Sequence, residues 1–334
     1  MKIAIHHRQG SFSDRWIAYC INQNIDYKIV NCYASDIIAQ LEDCDALMWH
    51  HSHVDYKDTL FAKQLLYSVA QSGKKTFPDF KTNWHFDDKV GQKYLFEAIG
   101  AAMVASYVFY TREDALKWIE NTTFPKVFKL RGGSGSQNVK LVNSSSHAKR
   151  LVRRAFGNGF TQFDRLSYLK ERFRKYDEGQ NSILGAFKGL GRLFIPTEFA
   201  QMHGREKGYI YFQDFIPNNQ FDIRVIVILG KAFAAKRMVR KNDFRASGSG
   251  NILYEMEHLP IDSIKLAFQL AFKLQSQCVA FDFIYNNSGN PLVIEMSYGF
   301  PTFATDPCIG YWDESLKFHE GTFIAQYWMV EALL

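Results

Sequence analysis

The stretch 279–301, VAFDFIYNNSGNPLVIEMSYGFP, constrains the chain most. It reads as two strands and a turn: Val279, Phe281, Phe283 and Tyr285 alternate, Asn-Asn-Ser-Gly-Asn follows, and residues 292–296 return. Each strand carries one carboxylate among apolar neighbours, Asp282 on the first and Glu295 on the second. Register decides whether they meet. A two-residue turn at Ser288-Gly289 sets Asp282 directly across from Glu295, with Ser297 two residues further along that face. A symmetric five-residue loop sets the acids on opposite faces, because a one-residue slip reverses every side chain. Two carboxylates held that close repel unless a proton or a cation lies between them. A hard cation fits best, since Mg²⁺ takes one or two carboxylates plus the oxygens of a substrate phosphate. The alternative is a half-buried sheet edge with two solvated acids.

At 334 residues the chain has room for about two domains and a sizeable core. An apolar fraction of 47% excludes a disordered chain. No apolar run reaches the ~18 residues of a membrane span, and MKIAIHH turns polar too soon for a signal peptide. Five cysteines, odd in number and without a C-x-x-C pair, read as reduced thiols of a cytoplasmic protein. The net charge of +6 is uneven. Residues 147–207 hold thirteen Lys and Arg against six Asp and Glu, and the remainder is near neutral. One segment therefore carries the basic character and needs a local explanation.

Residues 1–82 alternate strands and helices, which implies a parallel sheet with right-handed crossovers. His6 and His7 fall at the end of one expected strand, and His50, His51 and His53 at the end of another. Ligands of open parallel sheets bind beyond those ends, so the histidines are candidates for substrate contact, for metal, or for a plain surface role. A helix is expected over 86–99, opening with Asp87-Asp88-Lys89. The acids read as dipole compensation. The lysine opposes the dipole unless an anion is near.

Residues 124–142 give a strand with Lys129, a loop Arg131-Gly-Gly-Ser-Gly-Ser136 and a return strand. Such a loop offers closely approachable backbone N–H groups, as a phosphate cradle requires. It is neither a P-loop nor a dinucleotide fingerprint. The spacing predicts a helix over 163–176, whose aromatic positions suit a core better than a nucleic-acid platform. The basic segment thus points to an anionic substrate, an anionic membrane surface or a solvated face. Strands return over 209–239. A turn at Gly230-Lys231 would pair Arg224 with Arg237 and ask for an anion between them. Arg245 follows in a second glycine-rich loop, Asp262 is a cap candidate for a helix over 262–277, and the aromatic tail is expected to pack over the site.

In order, the chain presents a strand lysine, a glycine-rich hairpin, Gln-Asp-Phe-Ile, Asp-Ile-Arg, Lys-Arg, a loop Arg, a strand Asp and Glu-x-Ser. This set resembles the ATP-grasp superfamily, whose members include D-alanine–D-alanine ligase, glutathione synthetase and the ribosomal-protein glutamate ligases. The resemblance spans about 87–301. It implies an α/β (α+β) architecture: an N-terminal parallel α/β domain at 1–82, then an ATP-grasp fold of two subdomains with antiparallel sheets. These are a lid at 83–208, with a basic insertion at about 147–208, and a C-terminal subdomain with the metal site at 209–334. It implies that Lys89 and Lys129 bind ATP phosphates under Gly132, Gly133, Ser134 and Gly135. Gln213, Asp214, Phe215 and Ile216 would hold adenine, and Asp222 the ribose. Lys236, Arg245 and Arg224 would steady the transferred phosphoryl group, and Asp282, Glu295 and Ser297 would hold Mg²⁺. Ser297 stands where the family usually has Asn, and Ala280 where ligases for D-alanine have Arg, so that substrate is not carried over.

The implied activity is an ATP-dependent carboxylate–amine ligase working through an acylphosphate, on an acidic sugar or saccharide precursor and an amine. The competing readings are an ATP-grasp kinase acting on a hydroxyl of an anionic substrate, and a non-catalytic ATP-binding protein. Nucleic acid is not expected as a partner. Peripheral membrane contact and a homodimer are admitted.

Overall fold

The computed structural model describes residues 1–133, 138–161, 202, 204–240 and 243–334. The chain is mixed α/β and divides into two units, one of residues 1–86, 95–103 and 218–334, the other of 87–94 and 104–217. The expected helix over 163–176, with most of the basic insertion, lies outside the described residues, as do Ser134 and Gly135.

The first unit begins with strands β1 (Lys2–His6), β2 (Asp26–Val30), β3 (Ala46–Trp49) and β4 (Lys75–Phe77), and helices α1 (Phe12–Asn22), α2 (Ile37–Gln40), α3 (Tyr56–Gln71) and α4 (Phe80–Asn83). The strands form the expected parallel sheet in the order β2-β1-β3-β4. Caps set the helix starts: Ser11 accepts from the Ser13 N–H, Asp55 from that of Lys57 and Asp79 from that of Thr82.

Helix α5 (Lys89–Ala98) begins in the second unit and ends in the first. The second unit adds β5 (Ser106–Phe109), α6 (Arg112–Asn121), β6 (Lys126–Lys129), β7 (Lys140–Val142), α7 (Ser145–Ala155), β8 (Phe160–Thr161), β9 (Arg205–Glu206) and β10 (Ile210–Asp214). Its main sheet is antiparallel, β5-β10-β6-β7. Helices α6 and α7 bury Ala115, Ile119, Ala148, Leu151 and Val152 against Phe128 and Phe212. Because β10 bonds to β5 and β6, it belongs to this unit, which runs to residue 217.

The remainder of the first unit holds β11 (Phe221–Ile228), β12 (Lys231–Met238), β13 (Ile252–Leu253), α8 (Ile261–Leu274), β14 (Cys278–Tyr285), β15 (Pro291–Ser297), β16 (Gly310–Asp313), β17 (Phe318–Glu320) and α9 (Ala325–Glu331). The path β15-β14-β11-β12-β16-β17 forms a second sheet, with β13 on β12. Period-two alternation separates its faces. Val225, Val227, Val279, Phe281 and Phe283 pack with Ile264, Ala267 and Leu270 of α8. Ile226, Ile228, Phe233, Cys278 and Ala280 pack with Ile3, Ile5 and Trp16. The aromatic tail joins this second core through Trp328 and Met329 and extends the sheet with β16 and β17, so it is built into the fold. Asp262 is not the cap of α8: the helix starts one residue earlier, after Pro260, with no side-chain cap bond.

Two registers position the charged residues. In the acid hairpin the loop is the five-residue one, with Tyr285 opposite Pro291 and Phe283 opposite Val293. A β-bulge between Asp282 and Phe283 then adds one residue on the returning strand and brings Asp282 opposite Glu295 and Ala280 opposite Ser297. The pairing expected from a Ser288-Gly289 turn is therefore reached by another route. Between β11 and β12 the expectation fails. The turn is Leu229-Gly230, with φ of 47° and 70°, as a type I′ hairpin turn requires. Arg224 consequently faces Ala235 and Asp282, and Arg237 faces Asp222. Opposite charges meet where like charges were expected.

Candidate active site

In the second unit one buried lysine is bonded to the glycine loop and another lies on the strand that leads into it. Lys89 is 6% exposed and Lys129 7%. The Lys89 ammonium donates to the Gly133 carbonyl at 2.7 Å, and its backbone N–H donates to Arg131 O at 2.9 Å. The Asp87 carboxylate accepts from the Gly133 N–H at 2.8 Å. Asp88 accepts from the Gly91 N–H and is the capping acid, while Asp87, expected to need no function, ties the glycine loop to the helix start. Gly133 has φ +105°, a conformation that L side chains rarely adopt. Gly132 precedes it in the same loop. Lys129 donates to Gln213 Oε1 at 2.7 Å, and Gln213 donates in turn to Ser106. Asp214 faces Lys126 in register and pairs with it at 2.5 Å. Phe215 and Ile216 follow β10, half-buried.

In the first unit a charged row continues the apolar face of the sheet. Along β14 the face reads Cys278, Ala280, Asp282; along β11 it reads Ile228, Ile226, Arg224, Asp222. Arg224 grips Asp282 with two bonds of 2.7 Å, from Nε and from Nη2. Arg237 grips Asp222 at 2.6 and 2.7 Å and reaches Asp282 Oδ2 at 2.9 Å. Two guanidiniums and two carboxylates thus neutralise one another. Burial works against the Asp282 charge, but Arg224 and Arg237 outweigh it and hold this carboxyl well below the usual carboxylate range.

The other expected site residues also have partners of their own. Asp222 is the counter-ion of Arg237, which takes one position on each of its oxygens. Lys236 faces Ile223 across the strands, which puts it on the sheet face opposite to Arg224, with its ammonium 4.0 Å from the centroid of the Phe221 ring. Arg245 is paired with Asp243 at 2.6 Å within its own loop. Ser297 donates to the Gly299 carbonyl at 2.8 Å and accepts from the Gly299 N–H at 3.1 Å, which ties it to its own turn. Asp282 and Glu295 are opposed in register, two carboxylates of the kind a hard cation takes, while Ser297 is bonded within its own turn. Among the described residues no group of three or more His, Cys, Asp and Glu is placed to hold a metal ion.

The family model of the RimK-like ATP-grasp domain matches residues 197–303, the segment that holds β10 to β15. Three solved structures share the fold over most of the chain. D-cycloserine synthetase is 13% identical, with a TM-score of 0.57, covering 100% of this chain and 98% of its own. D-alanine–D-alanine ligase from Bacillus anthracis, complexed with ATP, is 13% identical, with a TM-score of 0.53, covering 89% and 86%. The biotin carboxylase domain of 2-oxoglutarate carboxylase from Hydrogenobacter thermophilus, in complex with MgADP and bicarbonate, is 12% identical, with a TM-score of 0.58, covering 99% and 69%. The chain has the ATP-grasp fold, and its residues 197–303 match the RimK-like ATP-grasp domain. None of the curated proteins matches it. No helix among the described residues is long and apolar enough to cross a membrane.

The histidines of this ATP-grasp chain are largely structural. His6 Nδ1 accepts from the Cys32 N–H at 2.9 Å, and His50 Nδ1 from the Phe12 N–H at 3.1 Å. His50 stacks on Phe12, and Tyr298 donates to the His51 carbonyl. Burial, with the nearby Arg8 charge adding to it, pushes His50 down to about 3 and His6 down to about 4. An unfolded imidazole titrates near 6.5, so as the pH falls the unfolded state takes up the proton first. Stability is complete above about pH 6.5 and is lost as the pH falls toward 4, by about 1.4 kcal/mol per pH unit for each imidazole. Urea unfolding at pH 7 and pH 5 checks this with His50→Asn, which keeps an acceptor for Phe12. The variant should lose about 2 kcal/mol less than wild type between the two pH values. Equal losses would show that His50 is not held neutral by the fold.

Proposed function

We propose that this ATP-grasp chain is an ATP-dependent ligase that joins a carboxylate to an amine. A carboxylate is a poor electrophile. In the proposed reaction its oxygen attacks the γ-phosphorus of ATP and ADP leaves. The amine then attacks the acylphosphate carbonyl, the C–O bond to phosphate breaks, and inorganic phosphate leaves as the nitrogen gives up a proton. Phosphoryl transfer asks a protein mainly for positioning and for neutralisation of developing charge. Lys89, Lys129 and the loop at Gly132 and Gly133 are assigned to the phosphates, and Gln213 to Ile216 to the adenine. Asp282 and Glu295 would hold Mg²⁺, which supplies charge neutralisation at the phosphate oxygens when bound. Arg224 is assigned to the transferred group.

The observation that carries this reading is a glycine loop held to a helix start by buried Lys89, with a second buried lysine, Lys129, on the strand that leads into that loop. Buried ammonium groups on a close-approach backbone form a receptor for a polyanion, and an apolar core has no need of them. An acidic sugar or saccharide precursor is proposed as the carboxylate. Supporting this are the basic surplus of 147–207 and the exposed Arg150, Arg153 and Arg154 on α7, a helix without a single acid.

Hydroxylamine trapping tests the reaction class. With ATP, Mg²⁺ and a panel of sugar acids, a ligase releases a hydroxamate in proportion to ADP. ADP release with an acid-stable phosphoester, and no hydroxamate, would make the protein a kinase.

A further inference from the structure

The contacts of Asp282 bear on how a cation reaches it. A carboxylate offers about four lone-pair positions, and three on Asp282 are taken, two by Arg224 and one by Arg237. Mg²⁺ requires near-octahedral geometry at about 2.0–2.1 Å, so a cation on Asp282 needs a lone pair that a guanidinium now holds, and the two compete for it by space and by charge. The two arginines are not equally able to leave. The Arg237 side chain is 9% exposed and binds both oxygens of buried Asp222, so its withdrawal would strand that carboxylate. The Arg224 side chain is 20% exposed and has Asp282 as its counter-ion.

We infer that Arg224 occupies the cation position on Asp282 in the nucleotide-free protein, and that guanidinium and metal exchange there. This rests on the assignment of Asp282 and Glu295 as metal ligands. The exchange leaves no charge unpaired, because the released guanidinium needs an anion and the nucleotide that brings the metal also brings phosphate oxygens. Metal and anion therefore enter together. The free protein discriminates against a bare divalent ion, since removing Arg224 from Asp282 without an anion to receive it leaves a charged group unpaired.

Mn²⁺ serves as the probe, its free fraction read by electron paramagnetic resonance, with the whole chain and no nucleotide. Arg224→Gln should bind Mn²⁺ about ten- to a hundredfold more tightly than wild type, the range expected when a charged hydrogen-bonded pair no longer competes. Arg224→Lys, a point charge without the fork, should lie between them. Asp282→Asn in the Arg224→Gln background should abolish the gain. Equal Mn²⁺ affinity in wild type and Arg224→Gln would overturn the inference, as would tight Mn²⁺ binding by wild type alone. If Arg224→Gln shows no cooperative melt, Arg224→Lys decides: tighter binding than wild type supports the exchange, and equal binding overturns it. The ligase reading fails separately, by wild type binding no ATP analogue at any metal concentration, and the Mn²⁺ comparison still holds its meaning in that case.

Discussion

Asp282→Asn is expected to destabilise the protein by about 3–5 kcal/mol, the cost of breaking a buried ion pair by removing one partner. The side chain is nearly isosteric, so packing changes little. The loss is electrostatic: Asp282 accepts from Arg224 twice and from Arg237 once, and both arginines remain. Asp222 continues to compensate Arg237, while Arg224 is left facing a neutral amide from across the strands, without a charge to meet it. Urea midpoints at neutral pH measure the effect. A change within about 1 kcal/mol, the range of an exposed pair, would mean that the row of charges is solvated and that Asp282 is not its keystone.

Lys129→Met is expected to lower kcat/KM for ATP turnover by about two to three orders of magnitude, as loss of one preorganised donor to developing charge does elsewhere. Methionine fills most of the lysine volume but leaves Gln213 Oε1 without its 2.7 Å donor. The fold should survive, with a stability loss of about 1–3 kcal/mol for that unsatisfied oxygen. Steady-state ADP release, with unfolding midpoints measured in parallel, separates the two effects. A fall of less than tenfold would remove Lys129 from the phosphate site.

What the sequence revealed and what it hid follow from the same physics. Period-two alternation and buried runs marked the parallel sheet and the strands of the large sheet, because burial follows the apolar pattern of a strand closely. Register depends on turns, and a turn depends on backbone angles that composition constrains weakly. Gly230 drew the β11–β12 turn toward Gly230-Lys231, since leucine disfavours positive φ. The structure places Leu229 at φ 47° nonetheless. That one-residue difference replaced an Arg224–Arg237 clash with the Asp222–Arg237 and Arg224–Asp282 pairs. In the acid hairpin, Asp282 and Glu295 met as read, though through a bulge that no local signal announces. The Asp87 bond to the Gly133 N–H was illegible for a different reason: it links residues 46 apart, and an acid beside a helix start already has an ordinary explanation.

Calorimetric titration of the whole chain with a non-hydrolysable ATP analogue and Mg²⁺, at two temperatures, tests the central claim most directly. We predict one binding site with a dissociation constant between about 1 μM and 1 mM, the working range of most enzyme substrates, and a large loss of affinity in Lys129→Met. The absence of binding heat at both temperatures, or equal binding by wild type and Lys129→Met, would contradict it.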